Sequence, residues 1–118
     1  MTNADARQLA LGHPVTHPTF VVIDAAGSGD NTILAAQTGK KIRVLALHIT
    51  MTGTAVTIRF ESAAGGTALT GQMQPLQGTS ITLPYNPAGW FETVSGELLN
   101  MELSGAQSVD GCAVVALI

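Results

Sequence analysis

The segment from Lys40 to Ser62, KKIRVLALHITMTGTAVTIRFES, constrains the fold more than any other part of the chain. Its apolar pattern predicts two strands joined by a short turn at residues 51–54. The second strand alternates strictly, which indicates one buried and one solvated face: Val56, Ile58 and Phe60 against Thr57, Arg59 and Glu61. The first strand is apolar on both faces: Ile42, Val44 and Ala46 on one, Leu45, Leu47 and Ile49 on the other. A strand covered on both sides predicts a packed sandwich, with a surface left for another subunit.

The rest of the chain predicts further short strands and essentially no helix. From Phe20 onwards, apolar and β-branched runs recur every 8–12 residues or so and are separated by turns rich in Gly, Pro, Asn and Asp, which gives about eight or nine strands. The last of these, 109–118, is expected inside a sheet because the chain stops on an apolar residue. Long early strands followed by shorter ones favour an antiparallel β-sandwich of the jelly-roll type. The Cys and Trp spacing of immunoglobulin domains is missing.

Residues 1–19 differ from the rest and predict an extended N-terminal arm ahead of a sandwich domain at 20–118. Gly12 and Pro14 stop any helix begun upstream, and Pro18 holds the next residues extended. Such an arm is either a tether lying along a neighbouring subunit or a larger surface, or a frayed terminus.

A low content of charge is typical of a surface that is covered by copies of the chain or by a partner, and it also fits a β-protein that is simply weakly charged. Asp, Glu, Lys and Arg make up 11% of the residues, where about 25% is usual. With a net charge of −3 and five scattered Lys and Arg residues, no basic face for nucleic acid is expected. No apolar run approaches a membrane span, so no membrane association is expected. Cys112 lacks an internal disulfide partner and is expected as a small buried hydrophobe, in a protein kept in a reducing cytoplasm.

No catalytic, metal-binding or cofactor-binding residues are predicted. His13 and His17 are four residues apart, but the prolines beside them prevent the helix that would align them. The acids form no recognisable pair, residues 27–31 lack the spacing of a calcium loop, and no Gly-x-Ser-x-Gly elbow occurs.

The roles of His48 and of the pair Tyr85 and Trp90 each have two interpretations. His48 is expected either buried and hydrogen-bonded or close to a symmetry axis between copies, where its charge would make assembly dependent on pH. Tyr85 and Trp90 flank the loop 84–89 and form either a stacking platform for a ligand or, with Phe91, an anchor that pins the loop to the core.

The chain resembles the small jelly-roll virion proteins of tailed bacteriophages, which are capsid decoration (cement) proteins and head-fibre bases. The likeness is carried by the arm before Phe20, by GKKIRV at 39–44, by NPAGWF at 86–91 with 96–103 after it, and by VDG at 109–111. Such domains are commonly trimers, and their arm or one end of the sandwich grips capsid subunits.

The resemblance implies a non-enzymatic homotrimer that binds the major capsid protein and stabilises the outer capsid surface. It would be made in the host cytoplasm and located in the virion. Capsid contacts are then expected in the arm, at Arg7, Leu9, Leu11, Pro14 and Pro18. The competing predictions are a receptor- or glycan-binding knob of a phage fibre, which would use Tyr85 and Trp90, and a structural subunit of a tail or neck.

Overall fold

The computed structural model describes residues 17–118, which form nine β-strands and no helix. This part of the chain therefore offers no helix that could cross a membrane. The strands, in chain order, are β1 (Thr19–Ala25), β2 (Gly29–Leu34), β3 (Ile42–Met51), β4 (Ile58–Ser62), β5 (Thr67–Ala68), β6 (Ser80–Leu83), β7 (Phe91–Glu92), β8 (Leu99–Leu103) and β9 (Val109–Leu117).

The strands form two antiparallel sheets. Sheet A has the order β1-β9-β3-β6, with β7 also paired to β3, and sheet B has the order β2-β8-β4-β5. The predicted antiparallel β-sandwich is confirmed. The two strands of the 40–62 segment belong to different sheets, so residues 52–57 cross between the sheets instead of closing a hairpin. The order of the strands favours the jelly-roll type, which stays a prediction.

A single apolar core lies between the sheets, supplied mainly by β1, β3 and β9 from sheet A and by β4 and β8 from sheet B. The prediction that Ile58 and Phe60 face this core is confirmed, since both are almost fully buried. The opposite face of β4 is not simply solvated, because Glu61 is buried as well. The core side chains are Val21, Ile23, Ala25, Ile42, Val44, Leu47, Ile49, Met51, Ile58, Phe60, Leu99, Met101, Leu103, Val109, Ala113 and Val115.

A β-bulge at Leu45 explains why β3 looks apolar on both faces. The pairing of β3 with β9 shifts register between Val44 and Ala46, so two residues on β3 oppose one step of β9. The bulge reverses the alternation, and residues on both sides of it reach the same core. The prediction that both faces of β3 are covered is confirmed only at the bulge, where Leu45 is buried but is not part of the core cluster. Beyond the bulge the outer face is open, since Ala46 is partly exposed and His48 is exposed.

The last strand lies between β1 and β3, as predicted, and its close fit depends on Gly111. Gly111 pairs with Ile23 on one side and Ile49 on the other. A Cβ atom at this position would overlap the backbone carbonyl oxygen of His48. An Asp-Gly pair is typical of a turn or bulge, but Asp110 and Gly111 both lie inside β9, where the glycine allows close approach of the backbones.

Replacing Gly111 with Ala is expected to lower the free energy of unfolding by about 2 kcal/mol or more, because a backbone carbonyl cannot move aside as a side chain does. Chemical denaturation of the two proteins measures this. Gly71→Ala is the matched control, since a Cβ there meets no atom within 4 Å, and it should change stability by less than about 1 kcal/mol. Equal effects of the two substitutions would contradict the close approach in β9.

Candidate functional site

The outer face of sheet A presents three rows of side chains, each running across neighbouring strands. Pairing between β1, β9, β3 and β6 sets the rows. The first is apolar, with Phe20, Val114 and Ala46. The second is mixed, with Val22, Cys112, His48 and Thr82. The third is polar, with Asp24, Asp110, Thr50 and Ser80. The face therefore changes from apolar to acidic along the strands.

The apolar end of this face is open to solvent in the single chain. Phe20 is 80% exposed and Val22 is 82% exposed. Both belong to β1, whose other side chains Val21 and Ile23 fill the core. Exposed apolar patches mark a surface that another molecule covers when they exceed a few hundred Å², so the area of this patch decides its meaning.

His48 lies in the middle of the outer face of sheet A and is exposed. The expectation of a buried histidine beside Val44 is wrong, because the bulge at Leu45 places Val44 in the core and turns His48 outwards. The ring Nδ1 is 2.9 Å from the hydroxyl of Thr82 across the β3–β6 pair. Its proposed position near an axis between copies stays a prediction.

Cys112 is also exposed on this face, between Val22 of β1 and His48 of β3. The prediction of a buried, inert thiol is therefore wrong. Apolar neighbours surround it in the sequence, but strand alternation sends Ala113 and Val115 into the core and leaves Cys112 outside.

Two acids face each other at the polar end of the outer face of sheet A. Asp24 and Asp110 are directly opposite in the β1–β9 pair. A hydrogen bond with the Asp110 carboxyl and then its negative charge raise the pKa of Asp24 above its ordinary value. Asp110 also accepts a hydrogen bond of 2.7 Å from the hydroxyl of Thr52. Ionised Asp24 therefore opposes folding at neutral pH.

The loop at 84–90 is fixed by the aromatic residues that were predicted to pin it. The indole N–H of Trp90 donates to the carbonyl of Pro84 at 2.8 Å, and the N–H of Asn86 donates to Leu45 at the bulge. Phe91 packs on Phe60 of the core, with ring centroids 5.2 Å apart. The anchoring interpretation is confirmed for Trp90, which closes the loop, and for Phe91, which joins it to the core, whereas Tyr85 is exposed.

Tyr85 and Trp90 nevertheless keep exposed ring surface, at 55% and 44% respectively. Beside Trp90, an apolar cavity of about 230 Å³ opens between the two sheets. Its lining is Leu47, Phe60, Leu69, Thr70, Met73, Ile81, Leu83, Trp90 and Phe91. A ligand platform at Tyr85 and Trp90 stays a prediction.

The outer face of sheet B carries a compact charged cluster that sequence patterns had not predicted. One carboxylate oxygen each from Asp30, Glu61 and Glu102 lies within 4.8 Å of the others. Arg59 bridges two of these acids, with its Nε 3.0 Å from Glu61 Oε2 and its Nη2 2.9 Å from Glu102 Oε2. The Asn100 amide donates to Asp30 Oδ1 and to Glu61 Oε1, both at 2.9 Å. We call these five residues the sheet B cluster.

The carboxyl groups of the sheet B cluster differ strongly in environment. Burial alone would raise the pKa of Glu61, but hydrogen bonds with Glu102, Arg59 and Asn100 outweigh burial and lower it. The hydrogen bond and the charge of Glu61 raise the pKa of Glu102. A signal was present in the sequence, since Arg59 with Glu61, and Asn100 with Glu102, occupy alternate positions of two strands. Only the β4–β8 register shows that these pairs meet.

The residues predicted to contact a capsid lie mainly outside the described part of the chain. Arg7, Leu9, Leu11 and Pro14 fall in 1–16. Pro18 is exposed and comes directly before β1. Their role stays a prediction, as does the boundary of the arm.

Comparison with known proteins relates the fold to a bacterial appendage protein. No protein-family model matches the chain, and no curated protein matches it. Among solved structures, the chain is similar to one from work described as "Bacillus endospore appendages form a novel family of disulfide-linked pili". The TM-score is 0.51 at 22% sequence identity, over 86% of this chain and 84% of that one. At this identity the likeness shows a shared fold.

Replacing Asp24 with Asn is expected to raise the melting temperature at pH 7, because it removes the repulsion from Asp110. A carboxyl with a raised pKa in the folded state opposes folding once it ionises. The gain should therefore shrink as the pH falls and vanish below the ordinary Asp pKa of about 3.9. Thermal unfolding at pH 7 and pH 3, repeated in 1 M salt, measures it. Salt should reduce the gain at pH 7, and a gain of equal size at both pH values would refute the repulsion.

Proposed function

We propose that this chain is a non-enzymatic structural subunit that assembles with copies of itself through the outer face of sheet A. The observation that carries the proposal is the exposure of Phe20 and Val22, side by side on β1 and next to the apolar Val114. The low charge of the whole chain supports it, since a weakly charged surface is covered with little loss of hydration.

The apolar patch on the outer face of sheet A is too small to form a stable interface without other contacts. Two rows across three or four strands cover about 250 Å². Because His48 and Thr82 occupy part of the second row, burying this area gives less than about 6 kcal/mol at about 25 cal/mol per Å², which does not exceed the free-energy cost of association. Stable interfaces bury about 800 Å² on each partner. The assembly we propose therefore also uses other surface.

Two parts of the chain can supply that additional surface. The predicted arm at 1–19 leads into β1, so its last residues, Pro18 and Thr19, come directly before Phe20 in the sequence. In the described residues β1 is paired on one side only, with β9, so its free backbone groups face outwards at the sheet edge. A free edge is a place where a strand from another copy can pair.

The shared fold with an appendage protein supports a role in assembly. The protein in that structure forms pili that its description calls disulfide-linked. By analogy, copies of this chain would form an extracellular or virion-associated structure. The finer proposal, a trimer that decorates a phage capsid, rests on the resemblance of sequence features described above. The competing knob of a fibre is supported by the exposed rings of Tyr85 and Trp90.

Replacing Phe20 and Val22 together with Ser is expected to shift the protein towards a monomer of 12.1 kDa, because the substitutions remove the apolar end of the proposed contact. Light scattering after size exclusion, over a range of concentrations, measures the mass. A reducing agent is present so that oxidation of Cys112 cannot link copies. Leu76→Ser is the control, since Leu76 is 69% exposed but lies outside the rows of this face. A wild-type monomer at every concentration would refute self-assembly.

Removing residues 1–16 is expected to abolish binding to phage capsids if the arm carries the capsid contacts, while the β-sandwich remains folded. Cosedimentation with purified capsids measures binding, and circular dichroism checks the fold. Tyr85→Ala with Trp90→Ala is the matched variant, since it would remove the ligand platform of a knob. If capsid binding survives loss of the arm, the contact lies in the sandwich instead.

A further inference from the structure

We propose that the side chain of Phe20 in one copy inserts into the apolar cavity between the two sheets of the next copy, so that copies join head to tail. This contact rests on the self-assembly proposed above and adds the surface that receives the apolar end of sheet A. That surface is the cavity of about 230 Å³ beside Trp90. It supplies the additional burial that the patch lacks, because an inserted ring is covered on all sides.

Phe20 and the cavity lie on opposite sides of the sandwich. β1 is one edge of sheet A and β6 lies at the other edge, with β9 and β3 between them. The cavity is lined from sheet A by β3, β6 and β7, and from sheet B by β4 and the residues that follow β5. The ring of Phe20 also points outwards, away from the core. A copy therefore cannot fill its cavity with its own Phe20, and the ring has to come from another copy.

The volume and the lining of the cavity suit a phenyl ring. An apolar protein cavity of about 150 Å³ stays dry and binds benzene, and a Phe side chain is a benzene ring on one methylene. The Thr70 hydroxyl accepts from the Phe60 N–H at 3.1 Å and donates to the Gly71 carbonyl at 3.0 Å. The Trp90 indole N–H is used by the Pro84 carbonyl. The lining side chains thus offer no free hydrogen-bonding group to a sugar or another polar occupant.

Among the exposed apolar side chains of residues 17–118, Phe20 fits the cavity best. It is 80% exposed, and its neighbours Val22 and Val114 can cover the rim of the cavity once the ring is inserted. Val22 alone is too small to fill the space, and Tyr85 would bury a hydroxyl without a partner. Leu76 is exposed as well, but it lies between Pro75 and Gln77 and brings no apolar neighbours in its loop.

The contact joins two different surfaces, so it is heterologous. Each copy offers one ring and one cavity, and repetition gives a closed ring of copies or an open filament, according to the rotation between them. None of the residues that line the cavity is charged, and Phe20 shares its row with Ala46 and Val114. Insertion therefore buries no charge, whose desolvation would oppose association.

Filling the cavity with Leu69→Trp is expected to weaken self-association about tenfold or more, because the ring of Phe20 is then kept out. Leu69 is partly buried in the lining. Sedimentation velocity over a range of concentrations, in a reducing agent, measures association, and circular dichroism checks the fold. Leu76→Trp is the matched control, since it adds the same side chain outside the cavity and should leave association unchanged. Leu83→Phe, on β6, is a second and milder filling variant that should also weaken association.

Mixing two defective variants separates a head-to-tail contact from a symmetric one. Phe20→Ser keeps the cavity and lacks the ring, whereas Leu69→Trp keeps the ring and lacks the cavity. Each variant alone should be largely monomeric. The equimolar mixture should form a one-to-one dimer of about twice 12.1 kDa and nothing larger, because only one ring and one cavity remain to meet. A symmetric contact between two Phe20 side chains would give no such dimer.

Trp90 reports directly on the cavity, since it is the single Trp of the wild-type chain and lines the space. Its emission should shift to shorter wavelength as the concentration rises, and should stay constant in Phe20→Ser. If both filling variants fold and associate as the wild type does, the inference is overturned while assembly through sheet A stands. An emission that does not change as copies associate overturns it too. A wild-type monomer at every concentration overturns both.

Discussion

The pairing of β3 with β9 holds sheet A together, since every other strand of that sheet pairs with one of these two. β1 pairs with β9, while β6 and β7 pair with β3. The partners come from 42–51 and 109–117, so the sheet cannot be completed until nearly the whole chain is present. Closing so long a loop is entropically unfavourable, and extensive burial on the core side offsets that loss. Gly111 is required in this pairing because a Cβ atom there would overlap the carbonyl oxygen of His48.

Within that pairing, the bulge at Leu45 determines which side chains of β3 lie on the outer face of sheet A. Without the extra residue, the alternation set by Ile42 and Val44 would have turned His48 into the core and Leu47 outwards. A one-residue shift exchanges the faces of every later side chain. The exposure of His48 therefore follows from the bulge. The hydrogen bond from the Asn86 N–H to the Leu45 carbonyl connects the loop at 84–90 to the same bulge.

Local patterns predict the strands well where apolar and polar residues alternate regularly. They predict less well where pairing with a distant strand determines the bounds of a strand. The alternation of Leu99, Met101 and Leu103 with polar residues is enough to predict β8. The segment AGSGDN at 26–31 has the composition of a turn, yet β2 starts at Gly29 because the polar residues of this segment pair with β8. The sheet B cluster could not be predicted from spacing, since Asp30, Glu61 and Glu102 come from three strands and meet only through their register.

The two outer faces differ in a way that bears on which of them can meet a second copy. The outer face of sheet A is largely neutral at its apolar end, whereas that of sheet B carries the uncompensated acids around Glu61. Two B faces brought together would place like charges opposite each other with water excluded, which is strongly unfavourable. Contact between the outer faces of two A sheets brings no such repulsion at the apolar end, where Phe20 and Val22 lie. In the assembly that we propose, the charge of the sheet B cluster therefore disfavours contact through sheet B and leaves the outer face of sheet A as the surface that copies can share.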